Sequence, residues 1–202
     1  MPDRVTEIRA SVGGSGVSGR DRGCLVSLAG LPGSGKSHLA HQICAATGAL
    51  VVRTDEVRRV LFPEPSYSPE ESGAVYLACF AAVRALLHDR YAMVFDGTNG
   101  RRSGRRLLGA IARIERADHA SVLVEAPPDV VRERITRRAA GLAPSFGSEA
   151  GVAIYERMAA SEDYGGYFDL VVNSDGDIQP TIMKLAMLIR GQGQVRSMGG
   201  EA

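Results

Sequence analysis

Five short apolar runs, at 25–29, 50–53, 92–95, 120–124 and 168–172, punctuate a chain in which apolar residues otherwise recur every three or four positions. Short continuous runs suit buried strands, and the wider spacing suits helices with one face on a core. The pattern predicts helices over 36–47, 55–61, 69–89, 103–116, 127–140, 149–161 and 180–190. Local punctuation agrees. Gly48 stands where a helix carboxyl-terminal cap belongs, Ser68 precedes a proline at a first helical position, and 63–69 has loop composition. Runs alternating with helices predict an α/β chain with a parallel sheet covered on both faces. Open sheets of this kind bind ligands beyond the carboxyl ends of their strands. The residues just after each run therefore carry the functional question.

After the first run comes Gly30-Leu31-Pro32-Gly33-Ser34-Gly35-Lys36-Ser37, with the spacing G-x-x-x-x-G-K-S, and it opens the helical pattern of Leu39, Ala40, Ile43 and Cys44. Strand, glycine loop and helix form the context of a P-loop. The glycines let backbone amides turn inward around phosphates, and the helix amino terminus adds its dipole. Lys36 is placed to reach the β- and γ-phosphates, and the Ser37 hydroxyl to ligate Mg²⁺. His38 is a neighbour of that site rather than a catalyst. The chain holds only two lysines, Lys36 and Lys184, so this one is conspicuous. The fold expected is a P-loop NTPase of the nucleotide-kinase-like kind, three layers α/β/α with a five-stranded parallel sheet and a small lid. The cofactors expected are ATP, with GTP as second choice, and Mg²⁺.

After the second run come Thr54, Asp55 and, three residues on, Arg58. Residues three apart share a helix face, which puts a carboxylate and a guanidinium together beside the expected γ-phosphate. Transfer to a hydroxyl needs a base and benefits from a cation that holds phosphate or acceptor. Asp55 fits the first role and Arg58 the second; the alternative is a helix cap with a solvated partner. After the third run, Asp96 is placed to support Mg²⁺, and Thr98 and Asn99 to meet the acceptor, with an Asx turn as the other reading of Asp96-Gly97-Thr98-Asn99. The cluster from Arg101 to Arg106, Arg102 included, suits an anionic acceptor or a polynucleotide strand, or else a solvated helix start. Of Arg132, Arg134, Arg137 and Arg138, the pair Arg134 and Arg138 lies one helical turn apart and suits a lid over the transferring phosphoryl group; Arg132 and Arg137 are expected on the surface. Asp175, in Asn173-Ser174-Asp175-Gly176 after the fifth run, is expected to border the adenine.

Length and charge narrow the class. The 202 residues suggest one domain, with a formal net charge of +1. That balance gives no global case for nucleic acid or an anionic membrane as main partner. Cys24, Cys44 and Cys79 are scattered in apolar patterns, which argues for reduced thiols in a reducing compartment and against zinc. No apolar run approaches membrane-spanning length. The segmentation expected is a flexible leader at 1–22, a kinase domain at 23–190 with its lid at about 139–150, and a flexible tail at 191–202. The expected location is the cytoplasm, as monomer or homodimer.

The loop Gly30 to Ser37, Asp55-x-x-Arg58, Val94-Phe95-Asp96-Gly97-Thr98-Asn99, Arg134-x-x-x-Arg138 and Asn173-Ser174-Asp175-Gly176 together resemble P-loop kinases related to polynucleotide kinase, zeta toxins and chloramphenicol phosphotransferase, a group also found fused to aminoglycoside-phosphotransferase-like domains. The resemblance runs from 24 to 190. It implies Asp55 as general base, Arg58 as phosphate or acceptor ligand, and Arg134 and Arg138 as lid arginines, with Lys36 completing the catalytic set. It departs at Ser37-His38, where Ser-Thr is common, and at Gly97, where Ala or Asn is common. The expected activity is transfer of the ATP γ-phosphate to a hydroxyl. The acceptor is expected to be a small molecule, with a nucleic-acid 5′ end as the alternative. Two rival readings are a nucleoside-monophosphate-type kinase, which needs no base, and a nucleotide-dependent regulator or toxin-like NTPase.

Overall fold

The structure is a computed structural model that describes residues 16, 21–144, 151–161 and 163–193. Five strands, β1 (Cys24–Ala29), β2 (Leu50–Arg53), β3 (Ala92–Asp96), β4 (Asp118–Glu125) and β5 (Leu170–Asn173), form one sheet in the order β2-β3-β1-β4-β5. Every pairing is parallel. Seven helices are present among the described residues. They are α1 (Lys36–Thr47), α2 (Thr54–Leu61), α3 (Pro69–His88), α4 (Arg102–Ile114), α5 (Pro128–Ala139), α6 (Val152–Ser161) and α7 (Gln179–Ile189).

Local chemistry explains the boundaries. α1 ends on Gly48, whose φ of 72° lies in the left-handed region and whose amide returns to the Cys44 carbonyl. α3 starts where the Ser68 hydroxyl accepts from the Glu71 amide, with Pro69 at the first helical position. β1 pairs with β3 and β4 and is buried along its whole length, as a strand covered on both faces should be. Its alternating side chains feed two cores. Val26 and Leu28 pack with Leu39 and Ile43 of α1 and with Leu185 and Ile189 of α7. On the other face, Leu25 joins Val75 and Val83 of α3, Phe95 of β3 and Leu108 of α4. A small third cluster, Val131, Ile135 and Tyr155, joins α5 to α6.

The differences from expectation are at element ends. β4 begins two residues earlier than its apolar run, because Asp118 and His119 stand opposite Cys24 and Leu25 of β1. β5 starts at Leu170: the Asp169 carboxylate, just before it, accepts from the Ser121 amide at 2.8 Å and hydroxyl at 2.7 Å, closing the strand start. α6 starts at Val152. The expected helix start at 149, half of the lid and most of the leader and tail lie outside the described residues. Cys24 and Cys79 are buried and outside any disulfide, while Cys44 is half-buried rather than buried.

Candidate active site

Gly30 leaves β1 with a φ of 143°. A Cβ there would collide with the Val124 carbonyl at the end of β4, so only glycine lets the loop turn off the central strand. The loop then runs to the amino terminus of α1, where Lys36 is 7% exposed. Its Nζ donates to the Leu31 carbonyl at 2.8 Å, so the amine is folded onto its own loop. Burial lowers its pKa, against the opposing charges of Asp96 and Asp55. Gly33, Gly35, Lys36, Ser37 and His38 all line one cavity of about 1180 Å³. That exceeds the ~300–1,000 Å³ of an ordinary single-ligand site.

The ends of β2 and β3 bring the two predicted acids into the same cavity. Asp55 lies in the first turn of α2, where its charge suits the helix dipole, but α2 has no side-chain cap. The capping alternative therefore loses its geometry. Asp55 is half-buried, and its carboxyl is pushed above the ordinary carboxylate range, first by burial and next by the neighbouring Asp96 charge. Lys36 and Arg58 pull it back down, less strongly. Asp96 is 5% exposed at the end of β3, opposite Leu28 of β1 and Arg53 of β2. Arg53 was not singled out from the sequence. Its Nε lies 3.5 Å from the Asp96 carboxylate, and its other arm bonds Glu56 at 2.8 Å.

Arg58 lines the cavity, but its guanidinium is committed elsewhere. It is buried against the Glu71 carboxylate, donates to the Ser72 hydroxyl at 3.3 Å, and sits 4.7 Å from the centre of the Tyr67 ring. The structure thus joins Arg58 to Glu71 of α3 rather than to Asp55. Burial alone would raise the Glu71 carboxyl, but the Ser66 hydroxyl and amide, Arg58 and the Tyr67 amide together hold it at about 2. A depressed carboxylate contributes stability that is present above its unfolded value of 4.5 and lost as pH falls through its folded value. Glu71→Gln is therefore expected to lower the melting temperature by about 5–10 °C at pH 7. The deficit should shrink as pH falls below about 4.5, a trend that calorimetric melts at pH 7 and pH 3.5 check.

Thr98 and Asn99 are brought to the cavity wall, and both are bonded to the scaffold. The Thr98 hydroxyl meets the Tyr76 hydroxyl at 3.1 Å, and its carbonyl accepts from the Gly30 amide at 3.0 Å and the Tyr164 hydroxyl at 3.1 Å. Asn99, with a φ of 47°, donates its side-chain amide to the Leu28 carbonyl. Within the arginine cluster, Arg101 lines the cavity and Arg102 does not. Arg105 is a clamp that donates to the carbonyls of Asn99, Gly100, Asp163 and Gly165.

On the other flank, Arg134 donates to the Ser174 hydroxyl at 2.7 Å and carbonyl at 3.0 Å, and the Ser174 hydroxyl donates to the Ser34 carbonyl at 2.6 Å. Arg134 also faces Asp175 at 3.8 Å. Ser174, rather than Asp175, reaches the cavity. Arg138 lines it within electrostatic reach of both Asp55 and Lys36. Arg132 is a surface residue as expected, paired with Glu156 at 3.4 Å. Arg137 is exposed, yet it also reaches the cavity edge.

The Ser37 hydroxyl and the buried Asp96 carboxylate are hard oxygen donors on one cavity, a set that fits Mg²⁺ together with phosphate oxygens and water. Among the described residues no group of three His, Cys, Asp or Glu side chains is placed to hold a metal by itself.

A P-loop on the central strand of a parallel sheet, with acids at the ends of the two strands to one side, defines a P-loop nucleotide-binding fold of the kinase type. The model of the AAA domain family AAA_33 matches residues 25–160, and the chain belongs to that family. Uncharacterized protein Rv2004c of Mycobacterium tuberculosis is 35% identical over 154 residues, covering 68% of this chain and 29% of the relative. Uncharacterized protein Mb2027c of Mycobacterium bovis matches with the same figures. The chain spans less than a third of the length of these curated relatives.

Solved structures share the fold. APS kinase CysC of Mycobacterium tuberculosis, in complex with AMPPNP and APS, superposes with a TM-score of 0.64 at 19% identity, over 85% of this chain and 99% of that one. Kti12 of Chaetomium thermophilum, in complex with ADP-AlF3, gives 0.64 at 21% identity, over 87% and 100%. A gluconokinase from Sinorhizobium meliloti gives 0.57 at 19%, over 86% and 94%. At such identities the likeness establishes the fold.

Proposed function

We propose that the chain is a phosphotransferase that moves the γ-phosphate of ATP to a hydroxyl acceptor, with Asp55 as base. The carrying observation is that Lys36, Ser37 and Asp55 line one cavity, with burial raising the Asp55 carboxyl above the ordinary carboxylate range, the direction that suits a base. AMPPNP and ADP-AlF3, held in complexes of two structural relatives, support ATP as donor. Lys36 exchanges the Leu31 carbonyl for β- and γ-phosphate oxygens. Ser37 and Asp96 would hold Mg²⁺, which when bound would neutralise phosphate charge.

Asp55 accepts the acceptor proton as the acceptor oxygen bonds to the γ-phosphorus. The bond from that phosphorus to the β,γ-bridging oxygen breaks, and ADP leaves with the electron pair. Arg138 stands near Asp55 and stabilises the charge on the phosphoryl oxygens, while Arg134 holds the loop after β5 against the P-loop. Arg58 is already matched by Glu71, which favours a hydroxyl acceptor over a phosphate-bearing one.

The test is incubation of the purified protein with γ-labelled ATP, Mg²⁺ and a small-molecule cell extract. Label is expected in an organic phosphate ester. Release of the label only as inorganic phosphate would move the protein to the switch-like alternative.

A further inference from the structure

The cavity is larger than a nucleotide site requires, and its surplus has a distinct character. Tyr76 and Phe80 of α3, Leu107 of α4, and Ile154 and Met158 of α6 line it, with Tyr67 from the loop before α3. Leu107 is 43% exposed and Tyr67 44% exposed, so apolar surface lies open to whatever fills this space. Tyr76 and Phe80 are two members of an aromatic trio with Phe95, with centroids 5.7 to 6.3 Å apart, which fixes their rings.

Several polar groups on this side are turned to other work, although the buried Asn99 Oδ1 and Arg58 Nε make no hydrogen bond. The Tyr76 hydroxyl bonds Thr98 and the Asn99 amide, so the tyrosine offers its ring. Arg58 is matched by Glu71 and Ser72, and Arg105 by four carbonyls. Arg101 and Arg157 reach the cavity from exposed positions where water screens them. An anion entering here would meet no unmatched buried cation among the described residues short of the phosphate end. A polyol would exchange water largely for rings and methyl groups, with the Thr54 and Ser103 side chains as polar lining.

We infer that this half of the cavity binds an alcohol whose body is an apolar or aromatic ring system, with its hydroxyl directed to Asp55. The inference rests on the kinase reading for the fate of the hydroxyl, but the apolar site is testable by itself. Gly73, on α3, also lines the cavity, and a Cβ there meets nothing within 4 Å. Leucine at this helical position fills the acceptor space without costing helix propensity.

The experiment compares 2-(2-naphthyl)ethanol, glucose, AMP and a 5′-hydroxyl oligothymidylate as acceptors with Mg·ATP, read by mass spectrometry of the phosphorylated product. In parallel, calorimetry follows naphthylethanol binding to the Mg·ADP complex. Naphthylethanol should exceed every other arm by about tenfold or more in kcat/KM, and Gly73→Leu should weaken its binding about tenfold while ATP affinity holds. Product formed preferentially from glucose, AMP or the oligonucleotide overturns the inference and keeps the kinase reading. Absence of naphthylethanol binding to the wild type overturns it as well. Binding that Gly73→Leu removes, with no product in any arm, upholds the apolar site and removes the kinase reading instead.

Discussion

Lys36→Ala is expected to lower kcat/KM for phosphoryl transfer by about 10³-fold. Lys36 is the sole lysine in the site, and it stands at the end of the loop that wraps the phosphates. Charge spreads over the γ-phosphoryl oxygens as the bond breaks, and a buried ammonium acts there at low dielectric, where its effect is largest. Arg53, matched by Asp96 and Glu56, and Arg58, matched by Glu71, do not take its place. Steady-state kinetics paired with calorimetric ATP titration measures the loss, and a melting curve close to wild type assigns it to the amine rather than to unfolding. A variant that transfers phosphate at more than about a tenth of the wild-type rate would remove Lys36 from the mechanism.

Asp55→Asn is expected to reduce turnover by about 10²–10⁴-fold while leaving ATP affinity near the wild-type value. The same variant should melt at a higher temperature at pH 7. The folded-state pKa of Asp55 is raised above its reference of 3.8, chiefly by burial, so its ionised form is disfavoured in the fold. A raised pKa contributes stability that is present below the unfolded value and lost as pH rises through the folded one. Asparagine never ionises, so the gain in melting temperature appears at pH 7 and vanishes near pH 3. In the wild type, the acid limb of the rate profile should lie above the ordinary carboxylate range and disappear in the variant. Loss of activity with no thermal gain would mean that the half-buried setting of Asp55 does not disfavour its charge.

Much of this site was legible because it is local. The P-loop is a run of eight consecutive residues, and Asp55 and Asp96 stand at strand ends that the apolar runs located. The partners were not legible. Arg58 finds Glu71 thirteen positions along the chain, across the loop between α2 and α3, and no periodicity announces that pairing. Arg53 reads as the last residue of a strand, and only the β2–β3 register sets it against Asp96. Arg102 and Arg101 are equivalent as letters; the start of α4 decides which one enters the cavity. The aromatic wall was hidden because α3 is apolar on several faces, so Tyr76 and Phe80 read as core. Tyr155 and Tyr164 had no pattern to explain them, and they prove to be a core residue of the α5–α6 pair and a prop for the Thr98 carbonyl.

The nucleotide loop grows from β1, which has a neighbour on each side and no exposed residue, whereas α6 buries Tyr155 alone. Heating therefore reaches these two parts of the cavity at different stages. The covering helix can detach at little free-energy cost, while the phosphate cradle persists until the whole sheet comes apart. On the proposed function, such a molecule would lose its grip on the acceptor well before it lost its grip on the nucleotide.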